Sequence, residues 1–201
     1  MAEKPTLILA SKSASRRAML ECAQVPFMAE ASDVDEALIK TGFRKDGKSV
    51  EQTATALAYA KAESVSAKYP KALVLGADQM LECGEVWLDK ANTLAEAKEQ
   101  LQFLSGKTHR LITAAVILKD GDEVWNSLIE AKMQMRVLSP EFIDDYCGLL
   151  GEELLGSVGC YALEGLGGQL FEHVEGDFFG ILGLPLLPLL QALRAEGILK
   201  S

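Results

Sequence analysis

The stretch Thr6-Leu7-Ile8-Leu9-Ala10-Ser11-Lys12-Ser13-Ala14-Ser15-Arg16-Arg17 joins a short apolar run to a basic segment rich in hydroxyls. Thr6–Ala10 reads as a buried strand, and the serines that follow read as the start of a helix. The same pairing recurs along the chain. Ser49-x-x-Gln52 is a capping-box pattern ahead of a helix from Val50 to Ala67. Ala72–Ala77 is a second all-apolar strand, expected to stop at Asp78. Thr93-x-x-Glu96 caps a helix running to about Leu104. Thr108–Leu118 and Glu123–Val137 flank Asp120-Gly121, a strong two-residue hairpin signal. Ser139-Pro140 starts another helix, with Ser as cap and Pro in the first helical position. A Gly-rich region follows Gly151, and a last apolar helix is expected from near Leu184. Strands that alternate with helices around a long central hairpin predict an α/β fold with a mixed sheet.

Composition narrows the function. The 201 residues carry 20 Lys+Arg against 29 Asp+Glu, a formal net charge of −9, which argues against nonspecific binding to nucleic acid polymers or to an anionic membrane. A local basic pocket for a phosphorylated substrate remains compatible with that balance. Cys22, Cys83, Cys147 and Cys160 are far apart with no CxxC pair, so zinc is not expected. The stretch Phe178–Leu193 is free of charge but contains two Gly and two Pro, and it is shorter than the roughly 20 residues a spanning helix needs. The first residues lack the apolar core of a signal peptide, so a cytoplasmic protein is expected.

Three sets of residues can carry chemistry. Ser11, Ser13 and Ser15, with Lys12, Arg16 and Arg17, lie where a strand meets a helix. Free backbone N–H groups, hydroxyl donors and a bidentate guanidinium there suit a phosphate. The alternative is a capped surface helix with solvated arginines. A P-loop is excluded, because no GxxxxGK[ST] occurs. The second set is acidic: Asp33, Asp35, Glu36 and Asp78. Asp78 with one of the other three can hold Mg²⁺, which prefers oxygen ligands and bridges to phosphates. The third set is Lys61 and Lys90, either of which can neutralise phosphate charge. His109 and His173 fall in expected strands, away from any nucleophile-like Ser or Cys, which argues against a Ser/His or Cys/His hydrolase.

Together these segments resemble the Maf family of septum-formation-inhibitor-like nucleoside triphosphate pyrophosphatases. The resemblance rests on LILASKSASRRAML, DVDE, Leu57–Ala62, Leu75–Gln79, Leu88–Lys90, Leu104–His109 and GCYALEGLGGQLFEHVEG followed by GLPL, all in family order. It implies one domain over residues 1–201, a twisted mixed sheet flanked by helices in an elongated, two-lobed, ITPase-like architecture with a central cleft. It also implies cleavage of a nucleoside triphosphate between its α- and β-phosphates, assisted by Mg²⁺, Mn²⁺ or Co²⁺, in a protein that is often a homodimer. Under it, Asp78 is the general base or metal-linked acid and Glu36 the partner of metal or water. Arg16, Lys61 and Lys90 meet phosphates, with Ser11, Ser13 and Ser15 around them. The rival readings are a dTTP/UTP pyrophosphatase and a nucleotide-binding regulator of division without turnover.

The chain departs from the family pattern at Ala14 (usually Pro), at Ala91 after Lys90 (usually Pro), and at Ser157 and Glu164 (usually Lys and Gln). An ionised Glu only accepts hydrogen bonds, whereas Gln donates and accepts. Guanine offers adjacent N1–H and N2–H₂ donors that a carboxylate can accept together; uracil and thymine suit Gln better. Glu164, with Gln79 after Asp78, therefore resembles the 7-methyl-GTP branch and predicts guanine-type or 7-methylguanine substrates. Ser15 stands where that branch often has tryptophan.

Overall fold

The structure is a computed structural model that describes residues 6–200. Seven strands form one mixed sheet: β1 (Leu7–Leu9), β2 (Met28–Ala29), β3 (Leu73–Cys83), β4 (Val86–Leu88), β5 (Thr108–Lys119), β6 (Asp122–Met135) and β7 (Phe171–Glu175). Their order is β2-β1-β3-β5-β6-β7, with β4 paired to β3. The β1–β2 and β1–β3 pairs are parallel, while β3–β4 and β6–β7 are antiparallel. The helices are α1 (Ala14–Cys22), α2 (Glu36–Lys45), α3 (Val50–Ser66), α4 (Leu94–Leu104), α5 (Pro140–Leu150), α6 (Phe178–Ile181) and α7 (Leu186–Ala195). This is the expected α/β class.

Local chemistry sets the boundaries. Ser13, Ser49, Thr93 and Ser139 each cap a helix by accepting from the backbone N–H three residues on, and Ser49 with Gln52 closes a full capping box. The β5–β6 hairpin turns at Asp120 and Gly121, both at positive φ (53° and 90°), as a two-residue turn of this hand requires. One expectation needs correction. β3 does not stop at Asp78 but continues to Cys83, because Met80, Leu81 and Cys83 are also buried and keep the strand in the sheet. Ahead of it, the acidic DVDE segment turns into α2, whose first residue is Glu36 and whose cap is Asp35.

The chain forms two compact units, one from residues 6–78, 113–129 and 183–200, the other from residues 79–112 and 130–182. The first is built on Leu7, Ile8, Leu9, Leu73, Val74 and Leu75, with α1 and α3 supplying buried Leu20, Leu57 and Ala58. Burial on every residue of β1 and on Leu73–Ala77 is the signature of strands covered on both faces. The second unit gathers Leu81, Leu101, Leu111, Met133, Tyr146 and Leu170 in one core. Among the described residues, no helix is long and apolar enough to cross a membrane.

Candidate active site

The apolar run of β1 ends at buried Ser11, where the chain leaves the sheet and Ser13 opens α1. The serine hydroxyls are organised by local geometry. Ser11 Oγ accepts from the Ser13 N–H at 3.1 Å, and Ser13 Oγ lies 3.0 Å from Ser15 Oγ. One turn into the helix, Arg16 points inward and is buried, whereas Lys12 and Arg17 are exposed. Its Nε donates to the Gly183 carbonyl at 2.8 Å and its Nη1 to Ser11 Oγ at 3.3 Å. Burial pulls the guanidinium below its ordinary pKa, opposed by the nearby carboxylates of Asp78 and Glu36. It stays charged, since arginine starts so high.

β3 and α3 bring the other charges together. A Cβ on Gly76 would collide with the Ala58 carbonyl oxygen and lie 2.7 Å from the Ala62 nitrogen. Glycine in the strand and alanines in the helix thus let two backbones approach where larger residues would hold them apart. That approach sets Lys61, between Ala58 and Ala62, over Asp78, two residues beyond Gly76. Lys61 Nζ lies 2.6 Å from Asp78 Oδ1 and 2.8 Å from Glu36 Oε1. The Lys61 and Asp78 side chains are 8% and 6% exposed, and Glu36 is 43% exposed. Asp78 Oδ2 is buried with no hydrogen-bond partner. Partial burial pushes the Glu36 carboxyl up, but the Lys61 ammonium, with Lys40 and Arg16, holds it below the usual carboxylate range.

Seven of the ten expected site residues therefore belong to the first unit: Ser11, Ser13, Ser15, Arg16, Glu36, Lys61 and Asp78. Charge brings Arg16, Glu36, Lys61 and Asp78 together. Of the other acids, Asp35 caps α2 through the Leu38 N–H, and Asp33 is exposed, 3.9 Å from Lys68. Gln79, Lys90 and Glu164 belong to the second unit. Gln79 Nε2 donates to the carbonyls of Gly180 and Ile181, both at 3.0 Å, so its amide hydrogens serve the backbone. Lys90 and Glu164 are exposed, Lys90 just past β4 and Glu164 in the turns before Leu166. The Gly183 carbonyl was not expected. A main-chain acceptor has no side-chain signature, and the only hint is the glycine itself, which sits at φ 107° with Arg16 against it.

This donor set suits a hard divalent cation. Mg²⁺ commonly takes one or two carboxylates and completes its shell with substrate phosphates and water. Asp78, through its bare Oδ2, and Glu36 are the residues that would hold it. Among the described residues, no group of three or more His, Cys, Asp or Glu gathers into a ready-made metal site.

The Maf-like protein family model matches residues 6–196. The nucleoside triphosphate pyrophosphatase of Rhodospirillum rubrum is 46% identical over 197 residues, covering 98% of each chain. The 7-methyl-GTP pyrophosphatase of Rhizobium johnstonii is also 46% identical over 197 residues, covering 98% of this chain and 99% of its own. The nucleoside triphosphate pyrophosphatase of Granulibacter bethesdensis is 47% identical over 188 residues, 94% of this chain and 95% of its own.

Proposed function

The chain belongs to the Maf-like protein family, and from that premise we propose that it hydrolyses nucleoside triphosphates to nucleoside monophosphate and pyrophosphate. The observation that carries this reading is the Lys61 ammonium held between Asp78 and Glu36, with buried Arg16 and the Ser11–Ser15 turn in the same unit. Cleaving a phosphoanhydride needs cations for the triphosphate and a carboxylate for water, and this cluster supplies both. Water adds to phosphorus as the bridging P–O bond between the α- and β-phosphates breaks. The Asp78 carboxylate accepts the proton that the water loses. Arg16 and Lys61 neutralise the charge gathering on the phosphate oxygens, Ser11, Ser13 and Ser15 donate to them, and Lys90 meets the phosphates beyond the first. A divalent cation, when bound, supplies Lewis-acid neutralisation of the same charge. Four free thiols suit the reducing cytoplasm, where such nucleotides are made.

The base preference turns on a single side chain. Relatives named for general triphosphates and for 7-methyl-GTP are equally similar, so overall identity does not choose between them. Gln79's amide hydrogens are engaged by backbone carbonyls, which leaves exposed Glu164 as the acceptor for guanine N1–H and N2–H₂. The positive charge of 7-methylguanine strengthens that pair. The enzyme accordingly favours guanine-type or 7-methylguanine triphosphates over dTTP and UTP, and clears noncanonical or surplus nucleotides.

The test is kcat/KM for 7-methyl-GTP, GTP, UTP and dTTP with Mg²⁺ or Mn²⁺, both products identified, on the wild type and Glu164→Gln. Pyrophosphate release with guanine-type substrates ahead, and erosion of that lead in the variant, is expected. Orthophosphate release, or no turnover, would overturn the activity. A wild-type preference for UTP or dTTP of about tenfold, which is about 1.4 kcal/mol, would overturn the base assignment.

A further inference from the structure

Lys61 does more in this geometry than await a phosphate. Its ammonium spans Asp78 and Glu36, at 2.6 Å and 2.8 Å, close enough to act as their shared counter-ion. With Arg16 beside them and Lys40 also acting on Glu36, the two carboxylates are already matched by positive charge. A divalent cation entering alone would meet carboxylates already neutralised and would add uncompensated positive charge where burial keeps the dielectric low. A triphosphate changes the sum, because it brings several negative charges and gives Lys61 another place to bind.

We propose that Lys61 is the internal counter-ion of Asp78 and Glu36, and that it keeps this pair from binding a divalent cation until a triphosphate draws its ammonium away. Nucleotide and cation then enter as one unit, and the exchange is cation for cation at the same two carboxylates. Three observations support the idea. Asp78 Oδ2 is buried without a partner, so the pair keeps one oxygen for an incoming ligand. Glu36 is half-exposed while Lys61 and Asp78 are buried, so Glu36 is the side open to exchange. Lys61 also hangs from a helix fixed tightly on β3 at Gly76, so the swap needs only its flexible side chain to turn. The inference rests on the pyrophosphatase reading for the identity of the triphosphate.

Binding of Mn²⁺ to the full chain, followed by loss of the free-ion signal in electron paramagnetic resonance, tests it without turnover. The titration is run with and without an α,β-methylene guanosine triphosphate, which cannot be cleaved at the bridging position, and is corrected for Mn²⁺ bound by free nucleotide. The wild type should bind Mn²⁺ at least about tenfold more weakly alone than with the analogue, the scale seen when a metal site loses a supporting group. Lys61→Met keeps the aliphatic stem without the charge and should bind Mn²⁺ without nucleotide; Lys61→Arg, which retains a cation, should not. Equal wild-type affinity with and without the analogue would overturn the proposal, whether or not Lys61→Met folds. Pyrophosphate release is read separately. Turnover with nucleotide-independent Mn²⁺ binding sinks only the exchange, whereas coupled binding without pyrophosphate release sinks only the activity.

Discussion

Asp78 leaves the ribosome as one polar residue in an apolar strand, and its surroundings give it a role. One carboxylate oxygen is bonded to Lys61 and the other is bare and buried. Asp78→Asn keeps the shape but removes charge and basicity, so kcat should fall by roughly 10²-fold or more. Unchanged kcat in a variant with native circular dichroism would remove Asp78 from the chemistry. A second substitution separates the phosphates. Lys90→Ala should weaken triphosphate binding more than monophosphate binding, because the charge proposed for it to meet lies beyond the α-phosphate. Equal losses in calorimetric titrations would put Lys90 elsewhere. Asp78 in an apolar strand and Lys61 in a small-residue helix stand out in the sequence, whereas Glu36 among the acids of DVDE and Arg16 beside Arg17 are singled out only by the family resemblance. The Gly183 carbonyl and the backbone engagement of Gln79 were not legible, since both depend on main-chain groups more than 100 residues away from their partners.

Secondary-structure elements were legible where local chemistry fixes them and misread where tertiary contacts do. The caps at Ser49, Thr93 and Ser139 and the turn at Asp120-Gly121 are short-range devices, and all appear as read. A charge at Asp78 reads as the end of an apolar strand, yet β3 runs through it; the charge is tolerated inside the strand only because Lys61 arrives from α3. The contact between α3 and β3 at Gly76 is the element-level condition for the site, and it can be tested separately from the charges. Gly76→Ala adds one methyl where the Ala58 carbonyl leaves no room, so the helix must lift. Overpacking of this kind costs about 1–3 kcal/mol. Urea denaturation should show that loss, and kcat should fall with it, because Lys61 moves relative to Asp78. Full stability with wild-type kcat would mean that the helix and strand separate freely and that Gly76 does not set the ion pair.

Acid should unfold the protein partly through a histidine of the second unit, against a background set by net charge. With a formal charge of −9, lowering the pH at first relieves repulsion among carboxylates, which favours the folded state. His109 works in the opposite direction. It is 1% exposed in the second unit, its Nε2 lies 2.7 Å from Tyr161 Oη, and its Nδ1 has no hydrogen-bond partner. Phe171 and Tyr161 pack around the ring, with centroids 6.0 Å and 5.7 Å away. Burial pushes its pKa down to about 4, against about 6.5 in an unfolded chain. Above pH 6.5 both states are neutral and His109 adds no pH dependence. Below that, the unfolded chain takes up a proton that the folded chain refuses, so stability drains as pH falls from about 6.5 to about 4. The slope is at most about 1.4 kcal/mol per pH unit, giving about 3 kcal/mol across the window. His109→Gln can still bond Tyr161 but does not titrate. Urea denaturation at pH 7.5, 6, 5 and 4.5 on both proteins cancels the shared carboxylate and net-charge effects. The wild type should lose more stability than the variant over that range, by about 2.5 kcal/mol. Parallel stability curves would show that the folded protein protonates His109 as readily as the unfolded chain does.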